Sequence, residues 1–241
     1  AAEPDRRVRT AGDGDPDLVA GNFGRNAILR ASSKEPLGLW VKDLDQNRFI
    51  DPIMTYYREG ENRVFADKDW LAGQLPVVKK GFVQYRKYAE STFDEVFPAA
   101  IWAGAIYRTA EVLESCWVEN RGKAGWALHP LPAEAQFSPA FAILPGDFDG
   151  DGRPDILLGG NLYEVQPAVG RQDASYGTYL RGDGKGGFVP RTPAQSGFRL
   201  PGAARDLKVI RRAGGRRSVL AGVNDGPVQC FDLAPKHQNT K

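Results

Sequence analysis

The stretch Asp147–Asp155, DFDGDGRPD, runs directly into the apolar segment ILLGGN at positions 156–161. Loop positions 1, 3, 5 and 9 carry side-chain carboxylates, and they are Asp147, Asp149, Asp151 and Asp155. Gly150 and Gly152 allow the backbone between them to curl tightly. An acidic loop of this kind followed by a short apolar run predicts a turn that leads into a buried strand.

Calcium is the ion that suits such a loop. It takes six to eight hard oxygen ligands at flexible distances, and alternate residues of a tight loop can point toward one ion. Arg153 would add its backbone carbonyl at position 7. The alternative is an acidic turn without an ion, but four carboxylates in nine residues repel one another unless a cation neutralises them. We therefore expect Ca²⁺ at this loop.

A second loop repeats the arrangement. Asp43–Asp51, DLDQNRFID, precedes the apolar segment PIMTYY at 52–57. Two copies in the same register, each with a strand behind it, argue against chance. The expected ligands are Asp43, Asp45, Asn47, the carbonyl of Phe49, and Asp51.

Two further copies are degenerate. The first, aligned on Asp17, has Arg9 and Ala11 at positions 1 and 3 and keeps only Asp13 and Asp17, so we expect no ion there. A fourth copy is indicated at 206–224, where SVLAGVN follows an eroded loop. About four repeat units result, and self-similarity of this kind is typical of repeat architectures.

Glycine hairpins follow the acidic loops. CWVENRGKAGWALH at 116–129 and TYLRGDGKGGFVP at 178–190 each read strand, tight turn, strand. Strands and turns at this spacing predict an all-β fold, and repetition of the loop–strand–hairpin unit favours a β-propeller.

One segment breaks this pattern. Between Asp67 and Pro98 the apolar residues fall at helical spacing: Val78, Phe82, Tyr85, Ala89, Phe93, Val96 and Phe97. Pro76 suits a first helical turn, and Ser91 followed by Asp94 and Glu95 resembles a capping box. We expect two or three short helices inserted between blades. The predicted division is blades at 1–66, helices at 67–98, blades at 99–234 and a polar tail at 235–241.

The D-x-D-G-D-G-x-x-D loop, the LLGG strand and the GDGxGGF hairpin resemble FG-GAP/VCBS repeats, the units of integrin-α-type propellers. DPDLVAGNFG, LPAEAQFSP and GRQDASYG, at 15–24, 131–139 and 170–177, are similar to the C-terminal part of bacterial VCBS-repeat proteins of the ASPIC/UnbV (CRTAC-like) group. The resemblance covers nearly the whole chain, from about residue 13 to residue 231.

The resemblance implies a secreted or cell-envelope protein with calcium in its blade loops. It implies a binding or scaffolding module whose ligand is a protein or a carbohydrate. Propellers of this type usually carry six to eight blades, so four units imply a partial ring or self-association.

Other function classes have weaker support. Lys and Arg are spread along a chain of net charge +2, so nucleic acid is not an expected partner. The dense run Arg211–Arg217 is interpreted as a hairpin tip. We find no nucleophile elbow and no H-E-x-x-H, so we favour a binding protein over an enzyme. One alternative is a hydrolase-type enzyme with a polar pocket on the propeller face that contains His129 or the group Arg171, Asp173 and Tyr176. The other is an inactive fragment of a larger propeller.

Three local features leave alternatives open. The long loop Tyr163–Tyr176 is a candidate ligand site through Arg171, Asp173, Ser175 and Tyr176, or it is stabilised internally, for example by pairing of Arg171 with Asp173. The tripeptide Arg181-Gly-Asp183 matches an integrin-recognition sequence but arises easily by chance. Cys116 and Cys230 are either two free thiols or one disulfide.

Overall fold

The computed structural model describes residues 7–8, 15–166 and 169–233, and these residues are mostly β. Strand accounts for 38% of the chain and helix for 19%, so the β-rich prediction is confirmed. The helical share is larger than an all-β fold would carry. Arg9, Ala11 and Asp13 of the first acidic loop, and the tail at 235–241, lie outside the described residues.

The strands in chain order are β1 (Arg7–Val8), β2 (Asp17–Ala20), β3 (Leu37–Lys42), β4 (Asp51–Arg58), β5 (Glu61–Val64), β6 (Ile106–Ala110), β7 (Cys116–Asn120), β8 (Trp126–Pro130), β9 (Ala140–Gly146), β10 (Asp155–Gly160), β11 (Thr178–Gly182), β12 (Phe188–Arg191), β13 (Ala203–Arg211), β14 (Arg217–Asn224) and β15 (Gln229–Asp232). The α-helices are α1 (Lys68–Gln74), α2 (Pro76–Gly81), α3 (Tyr85–Glu90), α4 (Phe93–Val96) and α5 (Pro193–Ser196). Short 3₁₀ helices lie at Ala99–Trp102, Gly122–Ala124, Ala133–Gln136 and Ala213–Gly215.

These strands form four small antiparallel sheets. Sheet I has the order β1-β2-β7-β8, sheet II β9-β10-β11-β12, sheet III β13-β14-β15 and sheet IV β5-β4-β3-β6. Sheets II and III are simple meanders, because neighbours in the chain are also neighbours in the sheet. None of the four closes into a barrel among the described strands.

The chain divides into two compact units. Unit 1 takes its described residues from Ala1–Ile28 and Glu114–Lys241, and unit 2 is Leu29–Leu113. Unit 2 therefore interrupts sheet I in the chain, between β2 and β7. The predicted helical segment does not stand by itself, since it shares unit 2 with β3 to β6.

In unit 1, sheet II is covered on both faces. One face packs against sheet I in a cluster that includes Ile156, Leu158 and Trp117. The other packs against sheet III in a cluster that includes Leu157 and Leu207. Side chains alternate across a strand, so two packed faces leave every residue of β10 buried. This accounts for the unbroken apolar run behind the acidic loop.

In unit 2, four α-helices occupy the segment 67–98, for which two or three helices were predicted, and a 3₁₀ helix follows directly at Ala99–Trp102. They share an aromatic core with sheet IV, in which the Trp40 ring stacks on Phe93 and Tyr107 at centroid distances of 5.4 and 4.1 Å. Asp67 caps α1 by accepting from the Trp70 N–H at 2.8 Å, and Pro76 opens α2 as predicted.

Two details of the helical prediction are wrong. The capping box is formed by Thr92 and Glu95, while the Ser91 hydroxyl donates to the Lys87 carbonyl instead. Tyr85 is exposed and Tyr88 is buried in its place. The cause is the break between α2 and α3, because a new helix start shifts the apolar phase.

Gly160 tests how closely the end of β10 approaches the chain just before β9, its neighbour in sheet II. A Cβ on Gly160 would lie 1.7 Å from the Pro139 carbonyl oxygen, a backbone atom that cannot step aside cheaply. We expect Gly160→Ala to lower the free energy of unfolding by about 3 kcal/mol, as overpacking does. Urea unfolding followed by circular dichroism measures the change.

Gly222→Ala is the matched control. Gly222 also lies in a strand of unit 1, and the nearest atom to a Cβ there is 4.0 Å away. Its substitution should leave stability within about 0.5 kcal/mol of wild type or raise it. Equal stability of the two variants would contradict the close packing described above.

Candidate metal centres

The acidic loop between β9 and β10 brings three carboxylates together. Oxygens of Asp147, Asp149 and Asp151 all lie within 4.8 Å of one another. Gly150 and Gly152 have φ values of 83° and 84°, in the left-handed region that glycine adopts without strain. The loop thus groups positions 1, 3 and 5 of the predicted site.

Backbone N–H groups of the loop fix these carboxylates. The Gly150 N–H donates to Asp147 Oδ1 at 2.7 Å, and the Asp151 N–H donates to Asp149 Oδ1 at 3.1 Å. The Arg153 N–H donates to Asp151 Oδ1 at 2.8 Å. One oxygen of each carboxylate is therefore held by the loop itself.

Arg181, on β11, contacts two of the other oxygens. Its Nε donates to Asp149 Oδ2 at 2.5 Å and one terminal nitrogen donates to Asp151 Oδ2 at 2.6 Å. Burial disfavours the charged form of Asp149, but the hydrogen bonds from Arg181 and from Asp151, together with the charge of Arg181, outweigh it and hold the pKa of that carboxyl below its usual range. The guanidinium thus supplies the positive charge that the loop requires.

Asp155, the ninth position, is oriented differently. It is fully buried, and its Oδ2 accepts from the Phe148 N–H at 3.0 Å and the Tyr179 hydroxyl at 2.8 Å. Its Oδ1 accepts from the Gly182 N–H at 2.9 Å. Burial raises the pKa of Asp155 although all three donors favour its charged form. Asp155 joins the acidic loop to β10 and β11.

The second acidic loop, between β3 and β4, has the same plan in unit 2. Oxygens of Asp43, Asp45 and Asp51 lie within 4.8 Å of one another. The Asn47 amide donates to Asp45 at 3.0 Å, and the Phe49 N–H donates to Asn47 Oδ1 at 2.7 Å. All five residues predicted as ligands therefore take part in the hydrogen bonds of this loop. The ring of Phe49, whose carbonyl is the predicted ligand, is exposed.

The second loop reaches this shape without glycine. Gln46 and Arg48 have φ values of 61° and 74°, where most residues are strained. The Arg48 N–H donates to Asp43 Oδ2 at 2.8 Å, which offsets part of that cost. The Asp43 carboxylate thus stabilises a positive φ at Arg48. In the loop at 147–155, Gly150 and Gly152 adopt positive φ values without strain.

A buried aspartate at the start of a strand is the feature shared by three of the four segments that the sequence predicts as repeat units. Asp17, Asp51 and Asp155 are 0%, 3% and 0% exposed and each is the first residue of its strand. Asp51 accepts from the Leu44 N–H at 2.8 Å, just as Asp155 accepts from position 2 of its own loop. Asp17 accepts from the Asn120 N–H of the neighbouring β7 at 2.9 Å.

In the fourth of these predicted segments, a serine occupies the position of the aspartate. Ser218, fully buried near the start of β14, donates its hydroxyl to Asp232 at 2.7 Å. Arg212 donates to the same carboxylate oxygen at 2.7 Å. The basic run at 211–217 is a hairpin tip, as predicted, because it connects β13 to β14 through a 3₁₀ turn.

The candidate ligand loop is partly engaged in internal contacts. The Arg171 guanidinium lies over the Tyr163 ring at 5.3 Å, and Arg199 lies over Tyr176 at 4.9 Å. The Ser175 backbone exchanges hydrogen bonds with the Asn161 side chain at 2.8 and 3.1 Å. Arg171 therefore stacks on an aromatic ring, and among the described ion pairs it has none with Asp173, whose side chain is exposed.

His129 has a packing role. Its ring stacks on Trp117 at a centroid distance of 4.3 Å, and its Nε2 lies 2.9 Å from Glu119 Oε2. The bond to His129 holds the pKa of Glu119 below its usual range. The described cavities of about 520 and 530 Å³ have neither His129 nor Arg171 in their walls.

Arg181 and Asp183 of the integrin-like tripeptide are both engaged within the protein. Arg181 binds the acidic loop, and Asp183 Oδ1 accepts from the N–H groups of Lys185 and Gly187 at 2.7 and 2.9 Å.

Cys116 and Cys230 are both free thiols, the first buried and the second exposed. Burial raises the pKa of the Cys116 thiol.

Arg181 is the residue that sequence reasoning missed at the metal centre. Its signal lies only in the pairing of β10 with β11, where Leu180 faces Ile156 and so brings position 181 to the start of β10.

No protein-family model, curated protein or solved structure matches this chain. Among the described residues, no helix is long and apolar enough to cross a membrane.

The anchoring role of Asp155 can be separated from ion binding. In Asp155→Asn, the amide nitrogen would face a buried backbone N–H whichever way the side chain is placed. We expect the free energy of unfolding, measured with chelator present, to fall by about 2 kcal/mol because a buried donor loses its acceptor.

Asp149→Asn is the comparison for this measurement. Asp149 is partly exposed and its pair with Arg181 is screened, so its substitution should cost less than about 1 kcal/mol in chelator. If Asp155→Asn lowered the free energy of unfolding less than Asp149→Asn did, the hydrogen bonds of the buried Asp155 carboxylate would not be what stabilises the loop.

Proposed function

We propose that this chain is a calcium-stabilised, propeller-type binding module that acts outside the cytoplasm. The observation that carries the proposal is the pair of acidic loops, each with three carboxylates whose oxygens lie within 4.8 Å of one another. Like charges this close disfavour the folded state unless a cation compensates them.

The donor set fits calcium. Asp147, Asp149 and Asp151 would hold one ion and Asp43, Asp45 and Asp51 the other, with Asn47 and the carbonyls of Arg153 and Phe49 as neutral ligands. All are hard oxygen donors on flexible loops, which calcium accepts and magnesium, with its strict octahedral geometry, accepts less readily. Bound calcium would replace repulsion within each loop by attraction to a common centre.

The propeller part of the proposal rests on the repeated sheets. Sheets I, II and III stack in unit 1, and in sheets I and II an inner strand begins with a buried aspartate that accepts from the neighbouring strand. Four-stranded antiparallel sheets that stack face to face around an axis are the blades of a propeller. We propose that the described sheets are such blades and that exposed edge strands allow self-association.

Localisation and partner follow from the same reasoning. Calcium loops of modest charge bind with dissociation constants of about 0.1–1 mM, and extracellular calcium is abundant enough to fill them. A protein or a carbohydrate is the proposed partner. The exposed Tyr176 on the loop at 163–176 is the contact residue we favour, because long loops on a rigid scaffold carry binding groups.

Calcium titration tests this proposal. Isothermal calorimetry should show about two calcium ions per chain, and excess chelator should lower the melting temperature. At a calcium concentration about 100 times the dissociation constant, each site should add about 2.7 kcal/mol to stability. Magnesium at the same concentration should give a much smaller shift.

Single-site variants assign the ions. Asp147→Asn and Asp45→Asn should each remove one of the two binding events, whereas Asp173→Asn, an exposed aspartate outside both loops, should remove neither. Absence of binding heat together with unchanged melting would show that both loops are turns stabilised by their own N–H groups and by Arg181.

Replacement of Arg181 gives an independent prediction. Because its guanidinium contacts Asp149 and Asp151, calcium has to displace it from those oxygens. Arg181→Met should therefore raise calcium affinity at this loop about threefold to tenfold and lower the melting temperature in chelator. Both are measured by calorimetry and thermal unfolding.

Lys185→Met is the matched control, since it removes one positive charge from the same hairpin without touching the pairs between Arg181 and the loop. If both variants changed calcium affinity equally, general electrostatics rather than competition at the carboxylates would explain the effect.

A further inference from the structure

A cavity of about 270 Å³ in unit 2 has an unusual wall. Three cationic side chains, Arg58, Arg63 and Lys68, line it against a single carboxylate, Asp67. That carboxylate is already occupied as the cap of α1, where it accepts from the Trp70 N–H. No residue of either acidic loop lines the cavity, so the two proposed calcium sites and this cavity use different side chains.

Lys68 is a buried charge with unused hydrogen-bonding capacity. It is 8% exposed, and its ammonium donates to the Val83 carbonyl at 3.1 Å and lies 4.0 Å from the centre of the Tyr85 ring. An ammonium has three N–H donors. Within the described part of the chain no carboxylate pairs with Lys68, although buried charges are normally paired.

Arg63, a second cation of the same wall, is also incompletely hydrogen-bonded. Its terminal nitrogens are engaged, one with the Ala89 carbonyl at 2.9 Å and the other with Glu61. Its Nε–H is buried and has no partner. A buried donor without an acceptor is costly, so the charge of Arg63 is only partly satisfied by its neighbours.

The rest of the wall is aromatic and aliphatic. Tyr56, Tyr85 and Tyr88 line the cavity with Phe65 and Val96. The hydroxyls of Tyr85 and Tyr88 are engaged elsewhere, with Asp69 and with the Ala66 carbonyl, so mainly ring surface remains for contact. Aromatic rings favour flat, apolar partners.

We infer that this cavity binds a small organic acid, whose carboxylate is attracted by the cationic side chains of Arg58, Arg63 and Lys68 in its wall and whose flat apolar body lies against the tyrosine rings. The volume suits a compound smaller than most drug-sized ligands. The site would give unit 2 a small-molecule ligand of its own, separate from any macromolecular partner.

Benzoate is the probe, and benzyl alcohol is its neutral counterpart of similar shape. In ¹H–¹⁵N NMR titrations of the full chain, benzoate should bind with a dissociation constant on the order of 1 mM or lower. Benzyl alcohol should bind at least tenfold more weakly. The largest amide shifts should fall on Arg63, Lys68 and Tyr85. Galacturonate, an acid with a polar body, should bind more weakly than benzoate.

Lys68→Met separates a ligand-binding role from a structural one. It should weaken benzoate at least tenfold, yet leave the melting temperature unchanged or higher, because an incompletely paired buried charge gives way to an apolar side chain of similar length. Lys80→Met, which removes an exposed lysine from α2, should change neither.

Several results would overturn the inference. They are no benzoate binding at about 10 mM, equal binding of benzyl alcohol, shifts confined to residues outside the cavity, or a Lys68→Met protein that binds benzoate normally. Tighter binding of galacturonate than of benzoate would contradict the inference that the ligand has an apolar body. The wild-type titrations alone decide the matter if the variant fails to fold.

Discussion

The structure depends on one interaction more than on any other, which is the buried aspartate at the start of an inner strand. In Asp155 a single carboxylate accepts from the N–H of Phe148 in its loop and from the N–H of Gly182 in the next strand. Loop, strand and hairpin are therefore joined at one point inside the core. Such a group is costly to bury without partners and strongly stabilising with them, which makes the local geometry nearly unique.

The same geometry decides what the rest of the loop can do. With position 9 turned inward, positions 1, 3 and 5 converge at the surface, where their charges repel. Two kinds of positive charge can relieve that repulsion, a bound cation or the guanidinium of Arg181. The loop in unit 2 gathers Asp43, Asp45 and Asp51 by strained Gln46 and Arg48 instead of glycine. Both loops thus group three carboxylates, one with glycines at positive φ and the other with non-glycine residues at positive φ.

Unit 2 differs in that its incompletely paired charges are cations that line a cavity. Its aromatic core packs Trp40 against Phe93, and beside that core lie Lys68 and Arg63, cations with unused donors in a wall of tyrosine rings. Nothing in the spacing of these residues marks them, because Lys68 follows a helix cap and Arg63 lies in a short strand. Only the fold of α1 and α3 onto β5 places the two cations in one cavity.

The sequence by itself determined the acidic loops, the apolar strands behind them and the hairpins, because these depend on residues close together in the chain. Asp147–Asp155 predicts both a curled loop and a buried strand from local chemistry alone. Only the tertiary structure decided that Arg181 faces this loop, that Tyr88 rather than Tyr85 is buried, and that residues 29–113 form a unit of their own. Strand register and helix phase depend on packing between distant segments, and a one-residue shift in either moves a side chain to another face.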